Sequence, residues 1–171
     1  MYGVSKYSGE LYIRQTLKQS AIKTYIFRVF NTYGPGENLN NLKKGMVSIF
    51  LAQMVNNQHI HVKGSKNRYR DFIHIDDVVE GIIRVIDRPA SRNENWDSKK
   101  PDPATSRAPW RLYNIGRNYP VELMDYISAL EKALGKKAKL NMLPLQPGDV
   151  PDTFANVDDL VKNFNYKPKT S

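Results

Sequence analysis

The chain contains no cysteine, which excludes disulfide bonds and thiolate metal sites from its 171 residues. It also lacks any apolar run approaching the about 18 residues that indicate a membrane-spanning helix. Its first residues do not combine a basic segment with an apolar one, so no secretory leader is recognised. Together these absences favour a soluble protein in the reducing cytoplasm.

A glycine-rich phosphate-binding turn is missing as well. Neither G-x-x-G-x-x-G nor G-x-G-x-x-G occurs in the sequence, and Gly34-Pro35-Gly36 does not replace them. Such a turn lets the backbone approach the pyrophosphate of a dinucleotide at the start of a helix. The sequence therefore predicts no pyrophosphate site of the Rossmann type.

Acidic residues are few relative to basic ones, 17 against 26, and the net charge is +9. A basic nucleic-acid-binding module is the alternative from a different functional class, and it requires basic and aromatic side chains on one face. The basic residues are instead spread along the chain, with only short pairs such as Lys43-Lys44 and Lys136-Lys137. The excess fits a phosphate-bearing small ligand equally well, so we expect neither nucleic acid nor a membrane as partner.

Hydrophobic periodicity predicts alternating helices and strands, which is an α/β or α+β pattern. Helices are predicted over residues 2–19 and about 43–57. Strands are predicted at 23–30, 59–63, 71–75, 111–115 and 138–143. Residues 88–110 form the one long irregular loop.

Three further helices are predicted from their end signals. Asp76 and Asp77 would cap the first, and Asn156 would cap the last, because short polar side chains bind free N–H groups at a helix start. Pro120 would open the middle helix and Gly135 would end it.

Tyr2 and Lys6 stand four residues apart in the first predicted helix. This spacing places two side chains on one helix face, where an ammonium group favours the ionised form of a phenol. The pair could therefore serve as an acid/base, although such a spacing also arises by chance.

Four motifs accompany the pair: RVFNTYGPG at 28–36, RDFIHIDDVV at 70–79, YNIG at 113–116 and QPGDVP at 146–151. In this order they closely resemble the C-terminal half of the extended short-chain dehydrogenases, the NAD-dependent nucleotide-sugar epimerases and dehydratases. The resemblance covers essentially the whole chain. From about residue 80 onward it is most similar to the UDP-glucuronate 4-epimerases.

The resemblance implies an α/β fold that comprises the last part of a Rossmann sheet and a small substrate-binding domain. Residues 1–35 would end the Rossmann-type domain. Residues 36–171 would be mainly substrate-binding domain, with returns to the Rossmann part near 71–87 and 111–116. The glycine-rich N-terminal Rossmann half would be absent, leaving apolar surface and an open sheet edge exposed.

The same resemblance implies roles for five residues. Tyr2 matches the catalytic tyrosine, and Lys6 the lysine that also holds the nicotinamide ribose. Both would therefore contact NAD, the implied cofactor. Asn31 and Arg70 match residues that bind the diphosphate of the sugar nucleotide, and Asp149 matches an acidic residue near the nucleotide ribose. No metal is implied.

The implied reaction is 4-epimerisation of a UDP-sugar. The tyrosine takes the C4 hydroxyl proton while hydride leaves C4 for NAD, and the hydride then returns to the other face. Asn31 and Asn38 stand where UDP-glucuronate enzymes have threonine and arginine, so a UDP-hexose such as UDP-glucose, UDP-galactose or an N-acetyl form is favoured. UDP-glucuronate and a dehydratase reaction are the alternatives.

The resemblance further implies a homodimer for full-length family members. Without the N-terminal half we expect this chain to bind no NAD and to be inactive alone. A separate N-terminal chain could complete it, or it could be a non-catalytic remnant or subunit.

Overall fold

The computed structural model describes residues 2–18, 20–40 and 45–170, in which helices and strands alternate. The helices are α1 (Tyr2–Leu17), α2 (Met46–Val55), α3 (Ile75–Ile86), α4 (Leu123–Leu134) and α5 (Asp158–Phe164). The strands are β1 (Thr24–Val29), β2 (Asn31–Tyr33), β3 (Ile60–Lys63), β4 (Tyr69–His74), β5 (Trp110–Ile115), β6 (Pro120–Glu122) and β7 (Leu140–Leu143). The predicted α/β class is confirmed.

The strands form three small sheets. β1 pairs with β5, β2 with β4, and β3 with β7, all in parallel, while β6 joins the other edge of β4 in antiparallel orientation. A parallel pair needs a long crossover between its strands, and the intervening helices and loops provide it. The chain changes sheets at Phe30, between β1 and β2.

Two separate clusters of buried side chains form the core. The first lies where α3 and α5 cover β1 and β5, and contains Ile73, Val78, Val85, Tyr113, Ile115, Leu160 and Tyr166. The second lies where α2 and α4 cover β3 and β7, and contains Phe50, Met54, Ile60, Val62, Leu123 and Ile127. We call these the sheet-side core and the substrate-side core. The predicted domain boundaries stay a prediction.

Two helix starts differ from the sequence prediction. Pro120 opens no helix: it lies in β6, opposite Asp71, and α4 begins at Leu123. The prediction that Asp76 and Asp77 cap α3 is also wrong, since His74 is the N-cap and its Nδ1 accepts a hydrogen bond from the Asp76 N–H.

Asp77 instead stabilises the C-terminal segment. Its carboxylate accepts hydrogen bonds from the backbone N–H groups of Lys169 and Thr170, at 2.9 and 3.0 Å. The fully buried Tyr166 donates to the Asp77 carbonyl oxygen and packs on Gly81, where a Cβ would lie 3.1 Å from the ring. This segment is therefore part of the sheet-side core.

Of the other two end signals, one is confirmed. Gly135 ends α4 in the left-handed conformation, with φ of 62°. The prediction that Asn156 caps α5 is wrong by one residue, since Val157 is the N-cap, although the Asn156 side chain accepts the Asp158 N–H at 3.0 Å.

The sheet-side region has unusually exposed apolar residues. No side chain of α1 is buried, and Tyr2, Val4 and Tyr12 are among its exposed residues. Within the described ranges, β1 pairs only with β5, so its other edge has no strand partner. The outer face of α3 also exposes apolar side chains, those of Val79, Ile83 and Ile86. Among residues 2–18, 20–40 and 45–170, no helix combines the length and apolarity needed to cross a membrane.

Candidate functional site

A cleft of about 940 Å³ opens where the chain passes from β1 to β2. Its lining includes Tyr2, Asn31, Arg70 and Asp149, which come from α1, β2, β4 and the loop before α5. Ligand sites in parallel α/β folds lie beyond the carboxyl ends of the strands, at points where the chain changes direction across the sheet. Four of the five site residues chosen from the sequence thus share one cleft of ligand-binding size.

Tyr2 lies at the solvent-facing side of this cleft, in the first turn of α1. Its side chain is 77% exposed, and Lys6 Nζ lies 5.3 Å from the centre of its ring. Lys6 itself does not line the cleft. The helix thus holds the cation against the phenol ring, as the spacing predicts, while leaving the phenol accessible to a ligand.

A bidentate ion pair attaches α1 to the sheet beside the cleft. Glu10 accepts hydrogen bonds from Arg28 Nε and Nη2 at 2.7 and 2.6 Å. These bonds to Glu10 raise the pKa of Arg28. Arg28 lines the cleft, so the pair connects the helix that carries Tyr2 to a wall of the site.

Asn31 begins β2, and its register places it opposite Phe72 of β4. Its side-chain Nδ2 donates to the Asp71 carbonyl oxygen at 2.9 Å. The Asp71 carboxylate is fully buried and accepts from the N–H groups of Arg117, Asn118 and Ala155. Asn31 is therefore fixed to a rigid part of the fold and not to a mobile loop.

Arg70 lies on β4 with its side chain directed to the loop that precedes α5. It donates to the carbonyl oxygens of Tyr69, Val150 and Pro151, at 2.8, 2.9 and 2.5 Å. Burial, together with the neighbouring Arg68 guanidinium, lowers the pKa of Arg70. The Asp149 and Asp152 carboxylates act in the opposite direction on this pKa. A guanidinium whose hydrogen bonds go to carbonyl oxygens can bind an anion in the cleft instead.

Asp149 lies in the same loop and forms an ion pair with Arg68, at 3.2 Å between Oδ2 and Nη2. Thr153, which also lines the cleft, has a buried hydroxyl with no hydrogen-bond partner in the described structure. Sequence reasoning missed Arg68 and Glu10. Arg68 precedes the recognised motif by two positions, and its partners at 149–151 are distant in the sequence.

A smaller cavity of about 460 Å³ adjoins the cleft, since Arg70 and Asp149 line both. Of these two sites, the smaller cavity alone is lined by Arg68, Gln53 and His61. In the described part of the chain, no group of three or more His, Asp or Glu side chains could hold a metal ion.

Parallel strands joined by crossover helices, with a cleft beyond the carboxyl ends of the strands, are the features of a Rossmann-type α/β protein. The family model described as "NAD dependent epimerase/dehydratase family" matches residues 1–97. The chain belongs to this family.

The curated relatives described here are about twice as long as this chain. Protein CapI of Staphylococcus aureus is 43% identical over 172 residues, which cover all of this chain and 50% of that protein. A probable UDP-glucuronate 4-epimerase of Rhizobium meliloti is 38% identical, over all of this chain and 49% of its own length. The chain therefore spans about half the length of the curated relatives it matches.

Solved structures show the same relation. The UDP-glucuronic acid 4-epimerase of Bacillus cereus, in complex with UDP-glucuronic acid and NAD, is 28% identical with a TM-score of 0.78. The match covers 99% of this chain and 48% of that one. The UDP-glucose 4-epimerase of Thermotoga maritima shares the fold, with a TM-score of 0.77 at 23% identity.

Proposed function

We propose that this chain is the substrate-binding and acid/base half of an NAD-dependent UDP-sugar 4-epimerase. The observation that supports this most is the single cleft that gathers Tyr2, Asn31, Arg70 and Asp149. Family membership supplies the reaction class, and the cleft supplies a site for it. The roles of the individual residues are part of the proposal.

Each residue has a role that its position permits. Tyr2, accessible at the cleft, takes and returns the proton of the sugar C4 hydroxyl, and Lys6 stabilises its ionised form. Arg70 binds the diphosphate, to which a guanidinium can donate two parallel hydrogen bonds. Asn31 orients the diphosphate from its fixed position on β2, and Asp149 accepts a hydrogen bond from the nucleotide ribose.

Tyr2 and Lys6 would also hold the nicotinamide ribose of NAD, because both project from the exposed face of α1. NAD, when bound, would supply the hydride acceptor that the epimerisation at C4 requires. A glycine-rich pyrophosphate turn is not in this sequence. We therefore propose that a Rossmann half, on the same polypeptide or on a separate one, pairs with the open edge of β1, and that this chain alone does not turn over.

The cleft favours a neutral hexose over a uronate. Among its described lining residues the cations are Arg28, which is paired with Glu10, and Arg70, which we assign to the diphosphate. Glu37 also lines the cleft and would repel a sugar carboxylate. UDP-glucuronate is the second candidate, and the similarity to named UDP-glucuronate 4-epimerases favours it. A homodimer and a cytoplasmic location stay predictions from the sequence.

Complementation tests this function. The chain is mixed with the N-terminal half of the Staphylococcus aureus relative, NAD, and either UDP-glucose or UDP-glucuronate, and the products are separated by chromatography. We expect C4 epimers from the mixture only, with UDP-glucose as the better substrate. Tyr2→Phe should lower the rate by about 10²–10⁴-fold because it removes the acid/base.

Tyr12→Phe is the matched control, because Tyr12 lies on the same helix and is similarly exposed. Turnover by the chain alone would contradict the need for a second half. A mixture that binds NAD yet converts neither sugar nucleotide would contradict the epimerase proposal. A 4-keto-6-deoxy product would assign the dehydratase reaction instead.

A further inference from the structure

Arg68 is a buried arginine beside the cleft, with only 7% of its surface exposed. It donates to the backbone carbonyl oxygens of Lys63, Val150 and Pro151 and to the Asp149 carboxylate. It lines the smaller cavity but not the large cleft. Arg68 therefore holds the loop before α5 without lining the large cleft.

Arg68 and Arg70 share two acceptors. The Val150 carbonyl oxygen accepts from Arg68 Nη2 at 2.6 Å and from Arg70 Nη2 at 2.9 Å. The Pro151 carbonyl oxygen accepts from Arg68 Nε at 3.0 Å and from Arg70 Nη1 at 2.5 Å. A carbonyl oxygen has two lone pairs, so each stays hydrogen-bonded when one guanidinium leaves.

The two arginines differ in what else holds them. Arg68 is fixed by the Asp149 carboxylate and by the Lys63 carbonyl, in addition to the shared acceptors. Arg70 donates, beyond the shared acceptors, to the adjacent Tyr69 carbonyl. Arg70 is also the one that lines the large cleft. Arg70 is thus the guanidinium that can exchange its carbonyl partners for an anion, while Arg68 stays in place.

We propose that Arg68 is a positioning residue, which holds the Val150 and Pro151 carbonyls so that Arg70 can turn to the diphosphate of a ligand. This inference rests on the proposed function, since it assumes that Arg70 binds the diphosphate. Without Arg68, each bond that Arg70 makes to a phosphate would leave a carbonyl unpaired. The bonds to these carbonyls are partly buried, so the loss of a partner costs part of the free energy that a fully buried group would lose, and ligand binding would weaken.

Calorimetric titration with UDP and with uridine tests the proposal on the whole chain. The variants are Arg68→Met, Arg70→Met and the double variant, and Arg92→Met is the control at an exposed arginine away from both cavities. We expect Arg68→Met to weaken UDP binding about tenfold, the equivalent of one charge-assisted hydrogen bond. Uridine binding should weaken less than UDP binding, because uridine has no diphosphate and depends on Arg68 only through Asp149. The double variant should bind UDP no more weakly than Arg70→Met.

Hydrogen exchange gives a second readout, which is the change in the exchange rate of the loop when UDP is added. A purely structural role of Arg68 would not produce such a change. The Asp149 and Thr153 N–H groups are hydrogen-bonded to Gln146 and Tyr69, and report on the order of this loop. In the original chain, saturating UDP should leave their exchange slow. In Arg68→Met, UDP should speed their exchange, because Arg70 then leaves the loop carbonyls. If Arg68→Met does not fold, Arg68→Lys serves instead, since an ammonium group cannot bind both carbonyls in the same fork.

The outcomes separate the two proposals. No UDP binding by the original chain would overturn the proposed function, and this inference with it. UDP binding that depends on Arg70, with additive losses in the double variant, would overturn only the inference. Equal losses of UDP and uridine binding in Arg68→Met, or loop exchange that is fast without UDP, would also overturn it and show that Arg68 merely maintains the loop.

Discussion

The substrate-side and sheet-side regions are built from similar elements but differ in how completely they are covered. In the substrate-side region, α2 buries five residues and β3 buries both Ile60 and Val62. In the sheet-side region, α1 buries none, and the free edge of β1 has no strand partner within the described ranges. Apolar burial is the main favourable term in folding, so α1 contributes less to stability than α2.

The difference between the two regions locates the uncovered apolar surface of the chain. The exposed apolar residues of α1 and of the outer face of α3 lie in the region around β1 and β5. The substrate-side core, in contrast, is covered by α2 and α4. A half-length member of an NAD-dependent family would show this pattern if its nucleotide-binding half were the part that completes the sheet.

Truncating a buried side chain in each region gives the largest contrast. Ile127→Ala in the substrate-side core should lower the free energy of unfolding by about 2–5 kcal/mol, because Ile127 is 1% exposed. Leu11→Ala in α1 should change it by no more than about 0.5 kcal/mol, because Leu11 is 43% exposed. Urea unfolding followed by circular dichroism measures both. Equal losses would mean that α1 is buried in solution, by self-association or by a partner.

Asp77→Asn tests the sheet-side core at its strongest polar contact. The substitution should cost about 1–3 kcal/mol, because the Lys169 and Thr170 N–H groups bind different carboxylate oxygens and one of these becomes an NH2 donor in asparagine. Although burial alone would raise it, the hydrogen bonds from Lys169 and Thr170 lower the pKa of Asp77. The contribution of this carboxylate is therefore fully present above the unfolded value of about 3.9, and is lost as pH falls through the lower folded value.

Urea unfolding of both proteins between pH 7 and pH 3 measures this effect. The stability advantage of the original chain over Asp77→Asn should shrink toward the acid end of the range. An advantage that stays constant down to pH 3 would show that the carboxylate charge is not what holds the C-terminal segment.

Glu10→Gln should lower the free energy of unfolding by only about 0.2–1 kcal/mol, because the Arg28 side chain is 48% exposed and solvent screens the pair, although Glu10 itself is 12% exposed. The difference should decrease with added salt. Glu94→Gln, at an exposed glutamate in the long loop, is the control. A loss of unfolding free energy above about 2 kcal/mol would show that this ion pair is stronger than an exposed one, and that α1 contributes to the stability of the sheet-side region.

Local patterns predicted most elements, because β-branched and aromatic runs favour strands and apolar 3.6-residue periodicity favours helices. They failed at Pro120, where pairing with β4 outweighs the usual preference of proline for a helix start. They failed at Asp77 as well, because its partners come from the C-terminal segment. The short strand β2 is set by its pairing with β4, which no local pattern signals.

The candidate site also contains residues that sequence motifs reveal and residues whose partners are distant in the sequence. Tyr2, Asn31, Arg70 and Asp149 were found through motifs, and the structure adds that they line one cleft. Arg68 was not found because its role depends on carbonyl groups of a distant loop, and backbone acceptors have no residue type to recognise.

The open edge of β1 has a practical consequence for any experiment with this chain. Two copies related by a two-fold axis can place their β1 edges side by side, and such a symmetric pairing is necessarily antiparallel. A Rossmann half would instead add a parallel strand there, as β5 does on the other side. Self-pairing and complementation thus compete for one edge. Dilution weakens both associations, while an excess of the second half favours complementation, so the ratio of the two chains decides which of the two prevails.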